Sequence, residues 1–152
     1  MCIRDRLEPT IIEELYKASQ AGVKIELIVR GVCALKPGVK GLSDNIQVRS
    51  IIGRFLEHHR IYYFYNGDNE LVYLSSADWM ERNLLRRVEV AFPIKNPVLK
   101  QKVIQEGLKV LLADNASAWR MHFDGSYQQL QTKAKQKPII GQNVLMDQFS
   151  SS

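Results

Sequence analysis

Ser50-Ile51-Ile52-Gly53-Arg54-Phe55-Leu56-Glu57-His58-His59-Arg60, continued by Ile61-Tyr62-Tyr63-Phe64-Tyr65, is the stretch on which the reading of this chain turns. An apolar run enters a glycine turn, passes through a His-x-Arg step and leaves as an aromatic strand. An imidazole with a pKa near ~6.5 can donate to, or protonate, a phosphate oxygen at neutral pH. A guanidinium can grip two such oxygens at once. A second polar cluster, Ser75-Ser76-Ala77-Asp78-Trp79, closes the strand that follows. The two clusters together read as half of a phosphoryl-transfer site.

Working outward, Pro9 suits the first turn of a helix, with Ile11, Ile12, Leu15 and Ala18 at helical spacing and Gly22 as its stop. Val23 to Val29 reads as a strand, and the apolar Ile28 on its second face predicts cover on both sides, as in an α/β sheet. The glycines, prolines and Asp44-Asn45 of residues 31–45 predict a loop. Strands follow at Ile46–Ile52, at Arg60–Tyr65 and Glu70–Ser75 around an Asn66-Gly67-Asp68-Asn69 turn, and at Val88–Phe92, stopped by Pro93. Asn96-Pro97 opens a second helix with an apolar stripe of Val98, Val103, Ile104, Leu108, Leu111 and Leu112. A hairpin turning at Asp124-Gly125 is expected over Met121–Leu130. The order predicts an α/β fold, a mixed sheet flanked by helices.

The 152 residues are most simply one domain, with 45% hydrophobic and 24% charged residues, an ordinary balance for a globular chain. No apolar run approaches the roughly 20 residues that span a bilayer. Two cysteines, Cys2 and Cys33, are too few for a disulfide framework and point to a reducing compartment. Lys and Arg number 21 against 16 Asp and Glu, a formal charge of +5 that favours an anionic partner weakly. Met1–Arg6 fit neither a strand nor a signal. From Gln131 onward the lysines and terminal serines predict a loosely ordered tail.

Neighbours in an extended segment point to opposite faces, so His58 and His59 cannot share one pocket. His58 is favoured because it follows the Gly53 turn and lies two residues before Arg60; His122 is read as structural. Arg30 stands at the carboxyl end of a buried strand, where α/β sheets hold ligands, although a salt bridge would explain it equally. Arg86-Arg87 sit before a strand in the same way, with one of the pair expected in solvent. Ser75, Ser76 and Asp78 can order a turn, and Asp78 can instead orient an imidazole. No phosphate loop with Lys-Ser/Thr, no Cys-x-x-Cys and no His-Glu-x-x-His is present. Nucleic-acid signatures are missing too, so nucleic acid is not an expected partner.

The chain resembles the carboxyl-terminal part of bacterial polyphosphate kinase. The resemblance rests on Ala18-Ser19-Gln20-Ala21-Gly22-Val23-Lys24-Ile25, Leu27-Ile28-Val29-Arg30-Gly31, Val48-Arg49-Ser50-Ile51-Ile52-Gly53-Arg54-Phe55-Leu56-Glu57-His58 and Ser75-Ser76-Ala77-Asp78-Trp79-Met80. Arg82-Asn83-Leu84, Arg86-Arg87-Val88-Glu89-Val90, Leu112-Ala113-Asp114-Asn115 and Asp124-Gly125-Ser126-Tyr127 extend it. It implies a phospholipase D-like α/β domain over residues 7–130, with 1–6 unmatched and 131–152 a basic and polar tail. By the same resemblance the whole enzyme moves the γ-phosphate of ATP reversibly onto inorganic polyphosphate, with Mg2+. A phosphorylated histidine carries the phosphate and belongs to a preceding domain, and the Mg2+ ligands are expected outside this stretch. His58 matches a catalytic and phosphate-contacting position, and Arg30 the other ATP-phosphate contact. Arg60, Ser76, Asp78 and Arg87 are candidate secondary or orienting contacts.

In phospholipase D relatives each half supplies a His-x-Lys and a later Gly-Ser-x-Asn step; here His58-His59-Arg60 and Ser75-Ser76-Ala77-Asp78 stand in their place. Asp for Asn argues against plain phosphodiester hydrolysis. The expectation is a polyphosphate kinase fragment, inactive alone, whose partners are ATP, ADP, polyphosphate and the rest of its chain. The resemblance implies a homo-oligomer for the full enzyme, located in the cytoplasm, with peripheral attachment at the inner membrane face as a variant. The alternatives are a phosphodiesterase or nuclease of the same superfamily and a non-catalytic polyanion-binding module.

Overall fold

In the computed structural model, residues 2–3, 8–31, 33–67 and 69–150 are described. The expected domain start at Leu7, the turn residue Asp68 and the terminal Ser151-Ser152 lie outside them. Glu8 caps the first helix, α1 (Pro9–Gln20), by accepting from Ile11 N–H, and Gly22, at φ +89°, turns the chain out of it.

Strands β2 (Ile25–Val29) and β3 (Ile46–Ile51) pair in parallel, Ile25 facing Ile46 and Leu27 facing Val48. Two residues before the helix form β1 (Cys2–Ile3), parallel to β2. The sequence reading denied this segment a strand pattern, because two residues carry no periodicity and only a partner strand makes them one. The predicted strand from Val23 starts later, since Val23 N–H still bonds Ala18 O behind the helix. The sheet continues in antiparallel fashion through β7 (Ala118–Met121) and β8 (Tyr127–Gln129), in the order β1-β2-β3-β7-β8. The hairpin joining the last two turns at Gly125, φ +85°, as the Asp-Gly pair predicts.

Both faces of this sheet are covered, as Ile28 foretold. Leu27, Val29, Ile46 and Val48 pack with Cys33, Leu35 and Met121 against Ile12, Leu15 and Tyr16 of α1. On the opposite face Ile28, Ile51 and Ala118 pack against Leu111, with Leu112, Leu130 and Leu145 at the margin.

The remaining strands do not join that sheet. Strands β4 (Ile61–Asn66), β5 (Asn69–Ser75) and β6 (Ala91–Pro93) form a second, antiparallel sheet of three. The one mixed sheet expected from the strand count is therefore two. Its cause is a separate core, in which Ile61 and Val72 pack with Ile104 and Leu108 of the second long helix. The predicted Val88–Phe92 strand shifts to Ala91–Pro93, and Pro93 pairs with Tyr73 at the sheet edge, where a missing N–H costs no ladder bond. A short helix α2 (Glu81–Arg86) lies between β5 and β6.

The second long helix is one rod in three parts: α3 (Pro97–Ile104), a π-helical turn Gln105–Lys109, and α4 (Val110–Leu112). Asn96 caps it by accepting from Val98 and Leu99 N–H. Ile104, Leu108 and Leu111 are buried as predicted, but Val98 is exposed, because the stripe reaches the core only after the first turn.

The expected loose tail is corrected by the structure. Residues Gly141–Ser150 form α5. Gly141 N–H donates to buried Asp114 at 2.8 Å, and Gln142 is itself buried. The low hydrophobicity of residues 131–140 hid a helix whose anchor is polar.

Candidate functional site

The segment before His58 owes its shape to α5. Gln142 accepts from Phe55 N–H at 3.0 Å, and its amide nitrogen donates to Phe55 O at 2.7 Å and Glu57 Oε1 at 2.8 Å. Gly53 is required by this clamp rather than by a left-handed turn, since its φ is not positive. A Cβ there would overlap Gln142 Oε1 and come within 2.9 Å of Cδ. Sequence reasoning took Gly53 for a turn former and missed Gln142, which lies 85 or more residues away from what it holds.

The two neighbouring histidines divide as their alternation demands. His59 turns inward, donating Nε2–H to Gly107 O at 3.1 Å and placing Nδ1 3.4 Å from Glu57. The π-helical turn brings Gly107 close, and a Cβ on that glycine would overlap Ile61. His58 turns outward on an exposed surface, its Nδ1 3.3 Å from Arg60 Nη1.

Behind His58 stands a buried carboxylate. Asp78 accepts from Arg60 at both oxygens, Nε to Oδ1 at 2.9 Å and Nη2 to Oδ2 at 3.0 Å. Arg30 Nη2 approaches the same Oδ1 to 3.9 Å, and the Arg30 and Asp78 side chains are about equally buried, 4% and 5% exposed. The hydrogen bonds that Arg60 donates to Asp78 hold its guanidinium above its ordinary pKa against the opposing effect of burial. His58, Arg60, Asp78 and Arg30 thus form a continuous chain of contacts, built from the end of β2, the approach to β4 and the exit of β5. Arg30 and His58, 28 positions apart, are brought to one cluster. The salt bridge that competed as an explanation for Arg30 exists as well, and it is part of the same cluster.

Asp78 is fixed by apolar neighbours on either side. Tyr62 stacks on Trp79 with ring centroids 5.1 Å apart, and its hydroxyl donates to Ala77 O at 2.8 Å. Burial pushes the Tyr62 hydroxyl up to about 12, so it stays a donor across the neutral range. Ser75 Oγ accepts from Ala77 N–H at 3.0 Å, and Trp79 O accepts from Glu8 N–H at the start of α1.

Ser76 and Arg87 belong to an adjoining cluster rather than to the Asp78 carboxylate. Ser76 Oγ donates to Glu89 Oε2 and accepts from Val90 N–H. Asn83 donates to the other Glu89 oxygen at 2.9 Å. The Ser76 bond, the Asn83 bond and the charges of Arg87 and Arg60 together hold Glu89 below the ordinary carboxylate range. Arg87 lines an open groove of about 350 Å³ beside Tyr62, Trp79 and Asn83. Its neighbour Arg86 pairs with Glu81 in solvent, and Arg87 is exposed too, so the pair does not divide between solvent and interior as the sequence suggested. Glu89 and Asn83 were visible only as letters in a family-like string, with no spacing to mark them.

Mg2+ finds no fit among these side chains. Among the described residues no three His, Cys, Asp or Glu groups gather as metal ligands. Asp78 is engaged by two guanidiniums, and Glu57 by Gln142 and His59. Among the described residues no helix is long and apolar enough to cross a membrane. The arrangement is an exposed imidazole backed by two guanidiniums and one buried carboxylate, which suits the oxygens of a phosphate chain.

Residues 3–142 match the family model described as polyphosphate kinase C-terminal domain 2. The chain is 71% identical over 126 residues to the polyphosphate kinase of Burkholderia cenocepacia strain HI2424, covering 83% of this chain and 18% of that protein. It is 74% identical over 121 residues to that of Burkholderia lata, covering 80% and 18%. The crystal structure of polyphosphate kinase from Porphyromonas gingivalis superposes with a TM-score of 0.89 at 36% identity, covering 99% of this chain and 23% of that one. The chain thus spans about a fifth of the relatives it matches, and the phospholipase D-like α/β class holds.

Proposed function

We propose that this chain, which belongs to the polyphosphate kinase C-terminal domain family, serves as the phosphate-gripping part of an enzyme that transfers the ATP γ-phosphate to inorganic polyphosphate. His58 and Arg30 are the primary contacts to the phosphates, Arg60 and Asp78 support them, and Ser76 and Arg87 line the approach through Glu89. The observation that carries this reading is the unbroken contact chain from His58 through Arg60 and Asp78 to Arg30. A phosphoryl group in transfer spreads negative charge over its oxygens, so positioned cations and donors supply most of the catalysis. The nucleophilic histidine and the Mg2+ ligands are assigned to the remainder of the full-length protein, consistent with the 18% span. An exposed apolar run of Leu85, Val88, Val90 and Phe92 supports a surface covered by that remainder.

The reading is tested in the full-length protein. His58→Ala and Arg30→Ala each lower ATP-dependent polyphosphate synthesis by about 100-fold or more, the scale of losing one transition-state contact. Near-wild-type synthesis by both variants, with the fold intact, removes the assignment.

A further inference from the structure

The group that supports His58 is a cation, and this bears on where the imidazole proton sits. Arg60 Nη1 lies 3.3 Å from His58 Nδ1. A guanidinium has donors only, so this hydrogen bond requires a bare Nδ1 lone pair. In the neutral ring the proton is then on Nε2. Arg60 is not free to rotate away, because Nε and Nη2 are both engaged by Asp78, a carboxylate 5% exposed and anchored through Ala77 and Trp79. Only the Nη1 edge is left toward the histidine.

We infer that Arg60 and Asp78 are positioning residues that hold His58 as the Nε2–H tautomer, a hydrogen-bond donor to a phosphate oxygen. The inference rests on the functional reading above and specifies the role of its central residue. In a Ser-His-Asp triad a carboxylate accepts from Nδ1–H and leaves Nε2 as the base. Here the polarity is reversed: a guanidinium donates to Nδ1, and Nε2 presents a proton. With Nδ1 engaged and Nε2 protonated, neither ring nitrogen offers a lone pair to phosphorus. His58 is thereby a stabilising donor, and the phosphate-accepting histidine is a different residue. A second proton on Nδ1 would break the Arg60 contact, so the geometry favours donation without proton transfer.

The test is solid-state 15N NMR of the full-length protein labelled at histidine, with His58 assigned by difference from a His58→Gln sample. The expected spectrum shows His58 with an unprotonated Nδ1 and a protonated Nε2. Arg60→Met shifts that signal toward a mixture of tautomers, and Asp78→Asn shifts it by less. Nδ1–H in the wild type overturns the inference, and so does an unchanged signal in Arg60→Met. The functional reading fails separately. If His58→Ala still synthesises polymer, the phosphate-contact role is lost whichever tautomer is seen. If synthesis is lost while the wild type carries Nδ1–H, only the tautomer inference falls.

Discussion

Arg60 and Asp78 form a two-point pair, Nε to Oδ1 at 2.9 Å and Nη2 to Oδ2 at 3.0 Å, across 18 residues of chain and a complete β-hairpin. The pair joins the start of β4 to the end of β5 at the point where both leave the second sheet. Because Arg30 approaches the same carboxylate, Asp78 also joins that sheet to the end of β2 in the first. One buried side chain therefore sets the relation between two halves of the site.

Removing Asp78 leaves two poorly solvated guanidiniums facing each other. Asp78→Ala should destabilise the chain by about 3–5 kcal/mol, the usual cost of stranding a buried charge. Asp78→Asn, which keeps one acceptor, should cost less. Urea denaturation followed by Trp79 and Trp119 fluorescence reads both; equal midpoints for Asp78→Ala and wild type would remove Asp78 from this role.

The clamp from α5 predicts that a distant helix controls the His58 segment. Gln142→Ala should free Phe55 and Glu57 and speed amide exchange over residues 53–58, leaving β4 and β5 protected. Gly53→Ala should do the same by displacing the Gln142 amide. Unchanged exchange in both variants would show that the loop holds itself.

Strands β2 and β3 and the two-sided burial of β2 were legible in the sequence because period-2 patterning and flanking glycines report them directly. Leu27 and Ile28, apolar on successive positions, gave the cover on both faces. The split into two sheets was not legible, since a strand pattern names no partner, and the Ile61–Val72–Leu108 core is a tertiary fact. Arg30 and His58 were legible as chemistry and through a family resemblance. Their convergence depends on Asp78, whose neighbours Ser75 and Ala77 look like an ordinary turn. Helix α5 was missed because the contacts that anchor it, Gln142 to Phe55 and Gly141 to Asp114, are polar, and Leu145 meets the core only at its margin.

Asp114 gives the fold an acid-sensitive joint. It accepts five hydrogen bonds, from Ala116, Ser117 and Ala118 N–H, from Ser117 Oγ, and from Gly141 N–H. Burial alone would raise its carboxyl, but these bonds outweigh burial and hold it below the ordinary value. A depressed native pKa stabilises the fold above the unfolded-state value of about 3.9 and loses that stabilisation as pH falls below it. Stability should therefore drop between about pH 4 and the lower native pKa, and Asp114→Asn should flatten that drop while lowering stability at neutral pH. An unaltered acid limb in thermal melts of Asp114→Asn would assign the sensitivity elsewhere.

Cys33 should be chemically silent in the native state. It is buried, and burial pushes its thiol above the ordinary value, so little thiolate is present to react. In a Cys2→Ser background, a chromogenic disulfide reagent should label it only as fast as the chain opens. Immediate stoichiometric labelling would contradict the packing of Cys33 with Leu35 and Met121.

The most direct measurement is a structure of the full-length protein with a non-hydrolysable ATP analogue. The account predicts that His58 Nε2 and a guanidinium nitrogen of Arg30 both lie within about 3.2 Å of phosphate oxygens, with Arg60 still paired to Asp78. Phosphates bound out of hydrogen-bond reach of both His58 and Arg30 would contradict it.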